Sequence, residues 1–226
     1  MFTLHYAPDN ASLVIRIVLE EMGLPYRTRL VDRARREQEG AAFRALNPAG
    51  VIPVLEVPDG VLSETGAILL WLAETEGRMA PPPGDAARGG FLRVLFFVAN
   101  TVHADLRLIF YPGRSAPGAE AVLHRAVSAR LRRHFAVLEG WAGEGWLAGE
   151  AVSVLDVYVA VLMRWAVLYA PGGAWFDPAA LPRLAAMAAR LEGRESVRRA
   201  AEAEGLGARP FTAPEPCQPP EGSALG

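Results

Sequence analysis

The stretch from Asn47 to Ile68 carries residue types suited to binding the charged end of a small acidic peptide. Ser63-Glu64-Thr65-Gly66 precedes an apolar helical run. A helix N-terminus offers free N–H groups and a partial positive charge to a carboxylate. Thr65 adds a hydroxyl donor, and Glu64 offers a negative charge to an amine. Together they suit an α-amino acid end, although the same residues are also an ordinary helix start signal.

Ile52-Pro53 stands at the entry of a predicted strand in the same stretch. Proline has no N–H to donate to a sheet ladder. Two interpretations stay open. The bond is trans at a strand edge, or it is cis and turns the backbone N–H and C=O of the preceding residue outward. In the second case an extended peptide could pair with that backbone as an added strand.

The elements that must position these residues follow from apolar periodicity. Alternation predicts two strands near the start of the chain, and helical spacing between them predicts a parallel β-α-β unit. Pro58-Asp59-Gly60 is a hairpin turn signal between two further strands, after which a helix follows. The predicted strands are 2–6, 26–31, 53–57 and 61–63, and the predicted helices are 11–22, 41–46 and 64–74.

The second half of the chain changes character. Residues 79–87 contain three consecutive prolines and form a predicted linker. Four or more helical stretches follow without a strand pattern, so this part is expected to be all-helical. They cover 88–111, 119–141, 153–169 and 179–202, the last broken near Gly193. The predicted domains are thus 1–78 and 88–206. The tail 207–226 carries five prolines and is expected to be extended or poorly ordered.

Composition excludes several function classes. The formal net charge is −2 and no basic stripe with aromatics is present, so no nucleic-acid partner is expected. All 23 basic residues are arginines, which excludes a lysine Schiff base. The single cysteine, Cys217, forms neither an internal disulfide nor a cysteine metal cluster, so no metal is expected.

Two apolar stretches, 94–110 and 154–170, approach the length of a membrane span. Charged and polar side chains interrupt both of them, which favours buried helices. The N-terminus also lacks a basic region followed by an apolar one. A cytoplasmic protein with no membrane association is therefore expected.

Several spaced motifs resemble the bacterial, cytosolic type of glutathione S-transferase. The N-terminal domain of that family is similar to Asn47-Pro48-x-Gly50-x-Ile52-Pro53-x-Leu55, then Leu62-Ser63-Glu64-Thr65-x-Ala67-Ile68. Trp146-Leu147-x-Gly149 followed by Ser153-x-x-Asp156 resembles the helix-capping motif of its C-terminal domain. In that motif Ser153 caps a helix and Asp156 reaches back to the N–H of the cap residue.

This resemblance implies a fold and a ligand. The fold is a thioredoxin-like α/β domain with a mixed four-stranded sheet, followed by an all-α helical bundle. The resemblance also implies a cis Ile52–Pro53 bond, glutathione as co-substrate and a homodimer. Ile52 would pair through its backbone with the cysteinyl part of glutathione, and Glu64 and Thr65 would hold its γ-glutamyl end.

The sequence leaves more than one candidate for the residue that activates the glutathione thiol. A bacterial subgroup of the family uses a cysteine where this chain has Ala11. The candidate donors that remain are Tyr6, Asn10 and Ser12. One well-placed hydrogen bond to a thiolate contributes about 1.5–3 kcal/mol, which is enough to lower the thiol pKa by a unit. The carboxylate of Asp9 would instead raise the thiol pKa, or it would simply cap the first helix.

Two further groups of polar residues are candidates for ligand contacts. Arg33, Arg35 and Arg36 follow the second strand and either meet the glycyl carboxylate of glutathione or form a solvated face. His103 lies on the predicted helix 88–111 and resembles a histidine that helps bind glutathione in some bacterial transferases. The predicted co-substrate pocket contains Arg107, Tyr111 and Trp165.

The function implied is conjugation of the glutathione thiolate to a small hydrophobic electrophile. Two alternatives stay open. The same fold hosts glutathione-dependent isomerases, dehalogenases and peroxidases, and it also occurs as a non-catalytic binding protein.

Overall fold

The computed structural model describes residues 1–143, 145–169 and 175–224. They form two compact units. The first, called the sheet unit below, comprises residues 1–76 and 192–210 together with the tail from residue 215. The second, called the helical unit, comprises residues 77–191 and 211–214.

The sheet unit is built on four strands in the order β2-β1-β3-β4. β1 and β2 are parallel, whereas β3 is antiparallel to both β1 and β4. The predicted mixed four-stranded sheet is confirmed. The elements are β1 (Phe2–Tyr6), α1 (Ser12–Met22), β2 (Tyr26–Leu30), a 3₁₀ turn (Glu37–Glu39), α2 (Ala41–Leu46), β3 (Val54–Val57), β4 (Gly60–Ser63) and α3 (Thr65–Glu76).

Local sequence signals explain where these elements end. α1 ends at Gly23, which has φ 63°, and the N–H of Leu24 bonds the carbonyl of Leu19 at 3.0 Å. Glycine reaches that left-handed conformation without a steric penalty. The core lies between the sheet and helices α1 and α3. Its fully buried members include Leu4, Val14, Leu55, Ile68 and Leu69.

The helical unit contains six α-helices within its described residues. They are α4 (Arg88–Phe97), α5 (Ala104–Phe110), α6 (Pro112–Ser115), α7 (Glu120–Trp141), α8 (Val154–Leu168) and α9 (Pro182–Glu192). A π-helical segment (Val98–His103) joins α4 to α5, and a 3₁₀ turn (Pro178–Ala180) precedes α9. The single helix predicted over 88–111 therefore contains a local change of hydrogen-bond spacing that apolar periodicity does not reveal.

The start of α8 has the predicted capping box. Ser153 accepts hydrogen bonds from the N–H groups of Leu155 (3.1 Å) and Asp156 (3.3 Å). Asp156 accepts from the N–H of Ser153 at 2.9 Å and from the N–H of Ala148 at 2.7 Å. The prediction that Ser153 and Asp156 cap this helix reciprocally is confirmed.

A final helix, α10 (Glu195–Glu204), belongs to the sheet unit and packs against α1. Its buried face includes Val197, Ala200 and Ala201. Over the described ranges of the chain, no helix combines the length and apolarity that a membrane crossing requires.

Candidate functional site

The strand register brings the predicted binding residues of the sheet unit to one edge. His5, near the end of β1, lies opposite Val54 at the start of β3. Val54 in turn lies opposite Ser63, at the end of β4. The residues that adjoin these three positions therefore meet at the same end of the sheet. They are Tyr6, Ile52, Pro53, Glu64 and Thr65.

Ile52 presents its backbone at this edge. The Ile52–Pro53 peptide bond is cis. The side chain of Ile52 packs against a small cluster formed by Val31, Phe43 and Val54. In the described part of the chain, neither the N–H nor the C=O of Ile52 takes part in a hydrogen bond. Both groups can therefore pair with an extended ligand.

Glu64 and Thr65 form the start of α3 beside this backbone. Glu64 has φ 70°, a left-handed conformation that costs an ordinary residue about 1–3 kcal/mol. Its side chain is exposed, and within the described ranges its carboxylate forms no hydrogen bond or ion pair. Thr65 is the first residue of α3 and is only 5% exposed. The first-turn N–H groups of a helix have no acceptors within that helix.

Ser12 lies at the start of α1 and is fully buried. Its hydroxyl donates to the carbonyl of Ala7 at 3.1 Å and accepts from the N–H of Ala7 at 3.3 Å. Both bonds close the loop between β1 and α1. The hydroxyl proton of Ser12 is thus already committed to the backbone of Ala7.

Asn10 lies in the same loop and is half-buried. Its side-chain amide donates to the carbonyl of Pro8 at 2.8 Å and to the carbonyl of Ala224 at 3.0 Å. Its Oδ1 accepts from the guanidinium of Arg33. Arg33 is thereby placed beside the loop, whereas Arg35 and Arg36 form exposed ion pairs with nearby carboxylates.

Tyr6 ends β1 and is 3% exposed. Its hydroxyl donates to the carboxylate of Glu221, and the guanidinium of Arg16 lies 4.6 Å from its ring centroid. Burial, followed by the bond to Glu221, raises the pKa of Tyr6 well above its usual value. Glu221 was not identified from the sequence, because no pattern in the tail connects it with a residue 215 positions earlier.

Asp9 adopts a left-handed conformation (φ 51°) in the loop before α1. Its N–H donates to Glu204 at 2.8 Å, and Glu204 also accepts from Arg16 at 2.7 Å. Burial raises the pKa of Glu204 to about 7, although Arg16 and the N–H of Asp9 act in the opposite direction. The buried pair of Arg16 and Glu204 thus holds the loop before α1 in place. It was also not predicted, because its two members are far apart in sequence.

In the helical unit, His103 ends the π-helical segment. Its Nδ1 lies 2.7 Å from the hydroxyl of Tyr158, and its ring packs against Tyr158 and Trp165. Burial, and to a smaller extent the charge of Arg107, lowers the pKa of His103 to about 4. His103 is therefore neutral at pH 7, so it can bind a ligand by a hydrogen bond and not by charge.

The three residues predicted for the co-substrate pocket have different surroundings. Arg107 is exposed. Tyr111 is half-buried, with the guanidinium of Arg114 4.8 Å from its ring centroid. Trp165 is 3% exposed and packs against His103 and Phe110, so it belongs to the aromatic core of the helical unit.

A second polar cluster of the helical unit was not predicted. Asp105 accepts two hydrogen bonds of 2.5 Å from Arg130, and His134 lies 3.2 Å from its carboxylate. Asp105 is 7% exposed, so these partners satisfy a buried charge. Over the part of the chain that the structure describes, no group of three or more His, Cys, Asp or Glu side chains is arranged to hold a metal ion.

Comparison with known proteins decides the family. Residues 11–75 match the family described as "Glutathione S-transferase, N-terminal domain". Glutathione S-transferase GST-4.5 of Xanthomonas campestris is 31% identical over 210 residues, which covers 90% of this chain and 98% of that protein. The chain belongs to the glutathione S-transferase family. As an enzyme of this family, it combines the thioredoxin-like and helical parts that the motifs predicted.

Two other similarities bear on the function of this transferase. The structure of a sphingomonad glutathione S-transferase complexed with glutathione is 31% identical, with a TM-score of 0.74. The match covers 91% of this chain and 100% of that one. A maleylpyruvate isomerase of Ralstonia sp. is 30% identical over 152 residues, covering 66% of this chain and 62% of that enzyme.

Proposed function

We propose that this protein transfers the thiolate of glutathione to a small hydrophobic electrophile. The observation that carries the proposal is the edge formed by Ile52, Glu64 and Thr65. An unpaired backbone N–H and C=O stand there beside a helix N-terminus and an exposed, strained glutamate. Glutathione has an extended peptide backbone and an α-amino acid end, which match these groups one for one.

Electrostatics favour a ligand orientation in which the γ-glutamyl end of glutathione lies at the start of α3. The N-terminus of α3 attracts the α-carboxylate of the γ-glutamyl residue, and the carboxylate of Glu64 attracts its ammonium group. The strain at Glu64 fits this role, because strained backbone persists where the surrounding structure holds a side chain in a functional position. The cysteinyl part of glutathione then pairs with Ile52 as an added strand.

Tyr6 and Asn10 are the thiol donors that we favour. Tyr6 donates its hydroxyl hydrogen bond, and Asn10 donates one of its two amide hydrogen bonds, to the C-terminal tail, so a ligand can replace the tail as acceptor. Ser12, by contrast, spends its hydroxyl proton on Ala7. We therefore assign Ser12 to shaping the loop. The contribution of His103 to glutathione binding, and those of Arg107, Tyr111 and Trp165 to a co-substrate pocket, stay predictions.

Calorimetry and a conjugation assay test the proposal together. The dissociation constant for glutathione should be millimolar or lower. A general aryl halide should be conjugated to glutathione at a rate proportional to the enzyme concentration. The double variant Glu64→Gln/Thr65→Val should lose both glutathione binding and conjugation. An absence of heat with millimolar glutathione would refute the proposed ligand, whatever the electrophile.

A glutathione-dependent isomerase is the second candidate, and the similarity to a maleylpyruvate isomerase favours it. Isomerisation regenerates glutathione, whereas conjugation consumes it. Profiling cis-configured unsaturated diacids, aryl halides, alkyl halides and peroxides at one fixed glutathione concentration separates these reactions. We further propose a cytoplasmic homodimer, which sedimentation equilibrium and cell fractionation would check.

A further inference from the structure

The tail after α10 returns to the sheet unit. It is first held at Gly205, which ends α10 with φ 64° and whose carbonyl accepts from the N–H of Gln218 at 2.8 Å. A Cβ on Gly205 would lie 2.0 Å from the carbonyl oxygen of Gln218. Any larger residue at position 205 would clash with the backbone of Gln218. The tail around Gln218 is therefore packed against the end of α10.

A second anchor lies at Gly222, four residues after Gln218. Gly222 has φ 74°, and a Cβ there would lie 2.7 Å from Leu30 and 3.4 Å from Pro8. Leu30 ends β2, and Pro8 follows the end of β1. The tail is thereby seated at the edge of the sheet from which the loop to α1 departs.

Glu221 and Ala224, which lie before and after Gly222, accept hydrogen bonds from the two favoured thiol donors. Glu221 accepts a hydrogen bond from the hydroxyl of Tyr6, and the carbonyl of Ala224 accepts one from the amide of Asn10 at 3.0 Å. A phenol has one proton to donate, so Tyr6 cannot bond a thiolate while it bonds Glu221. A carboxylate next to the thiol would also raise the thiol pKa.

We propose that residues 218–224 are an autoinhibitory strap that closes the thiol end of the glutathione site. The inference rests on the proposed function. Bound glutathione reaches Tyr6 and Asn10 only when Glu221 and Ala224 leave them. The closed strap then competes with the ligand, because the apparent dissociation constant equals the intrinsic one divided by the open fraction.

Three variants test the strap. The chain shortened after Gln218 removes both acceptors but keeps the anchor at Gly205. Glu221→Gln keeps the full length and weakens one contact. Glu215→Gln is the control, because it removes a tail charge that lies outside residues 218–224. Calorimetry should show glutathione binding about tenfold tighter to the shortened chain, more weakly improved in Glu221→Gln, and unchanged in the control.

A second readout needs no glutathione. The chain has five tyrosines, so 3-fluorotyrosine labelling gives five fluorine resonances, and Tyr6→Phe assigns one of them. Shortening the chain and Glu221→Gln should both move the Tyr6 resonance. Adding glutathione to the full chain should move it away from its closed position as well.

The outcomes separate the two proposals. The autoinhibitory role would be refuted if the full and shortened chains bound glutathione with equal affinity. It would also be refuted if the chemical shift of the Tyr6 resonance were the same with and without residues 219–226. Either result would leave the proposed function standing. If the resonance moves but neither chain binds glutathione, the proposed function fails and the inhibitory role falls with it. Tighter binding together with a moved resonance supports the strap.

Discussion

Arg16 and Glu204 are 188 positions apart in the chain, and the Nε of Arg16 donates to the buried carboxylate of Glu204 at 2.7 Å. Glu204 also accepts the N–H of Asp9, whose left-handed backbone begins the turn into α1. One ion pair thus ties α10 to α1 and fixes the loop that carries Asn10.

Removing one partner of this pair should be costly. Glu204→Ala leaves the guanidinium of Arg16 buried without its counter-charge, so the free energy of unfolding should fall by about 3–5 kcal/mol. The double variant Arg16→Met/Glu204→Leu removes both charges and should be more stable than Glu204→Ala alone. Urea unfolding measures both values. A double variant as unstable as the single one would contradict this account.

Glu64 should trade stability for binding. Glu64→Gly relieves the left-handed conformation and should raise the free energy of unfolding by about 1 kcal/mol. The same change removes the charge proposed to pair with the ligand ammonium group, so glutathione affinity should fall tenfold or more. Ala148→Gly is the matched control, because Ala148 is also left-handed (φ 57°) and lies in the helical unit. It should gain stability without losing affinity.

Ser12 and Tyr6 should have separable roles. Ser12→Ala leaves the N–H and C=O of Ala7 without their buried partner, so stability should fall by about 1–3 kcal/mol while the pKa of bound glutathione stays unchanged. Tyr6→Phe should raise that thiol pKa by about one unit. Thiolate absorbance against pH measures it. A thiol pKa raised by Ser12→Ala and not by Tyr6→Phe would reverse the assignment.

His103 should make stability depend on pH. Its pKa is about 4 in the folded protein and near 6.5 in the unfolded chain, so the unfolded state binds more protons between these values. Stability is therefore highest above pH 6.5 and should fall by up to about 3 kcal/mol as the pH drops towards 4. His103→Gln should lose this component. Tyr158→Phe, which keeps the imidazole, should retain it.

Asp156 should be required as a carboxylate. Each of its oxygens accepts a backbone N–H, from Ala148 and from Ser153. Asparagine has one carbonyl oxygen, so Asp156→Asn places an amide N–H against a backbone N–H and should cost about 1–3 kcal/mol of stability. Asp177 caps an exposed turn through one oxygen. Asp177→Asn is the control and should change stability by less than about 0.5 kcal/mol.

The elements of both units were predictable because their signals are local. Alternation, helical spacing, Pro58-Asp59-Gly60 and the capping box of Ser153 and Asp156 each act over a few residues. The proximity of Ile52, Glu64 and Thr65, the proposed binding edge, was predictable for the same reason, since a short hairpin holds these residues together. The π-helical segment was not, because changing the hydrogen-bond spacing over one turn leaves the apolar pattern intact.

The sequence by itself determined which residues stand together at the proposed binding edge, because turn chemistry and strand alternation are properties of neighbouring residues. Only the tertiary structure decided what surrounds the residues predicted as thiol donors. Ser12 turns to Ala7, Asn10 and Tyr6 meet the tail, and Glu204 supports the loop. These partners lie up to 215 positions apart, and a contact across that distance depends on how the whole chain packs.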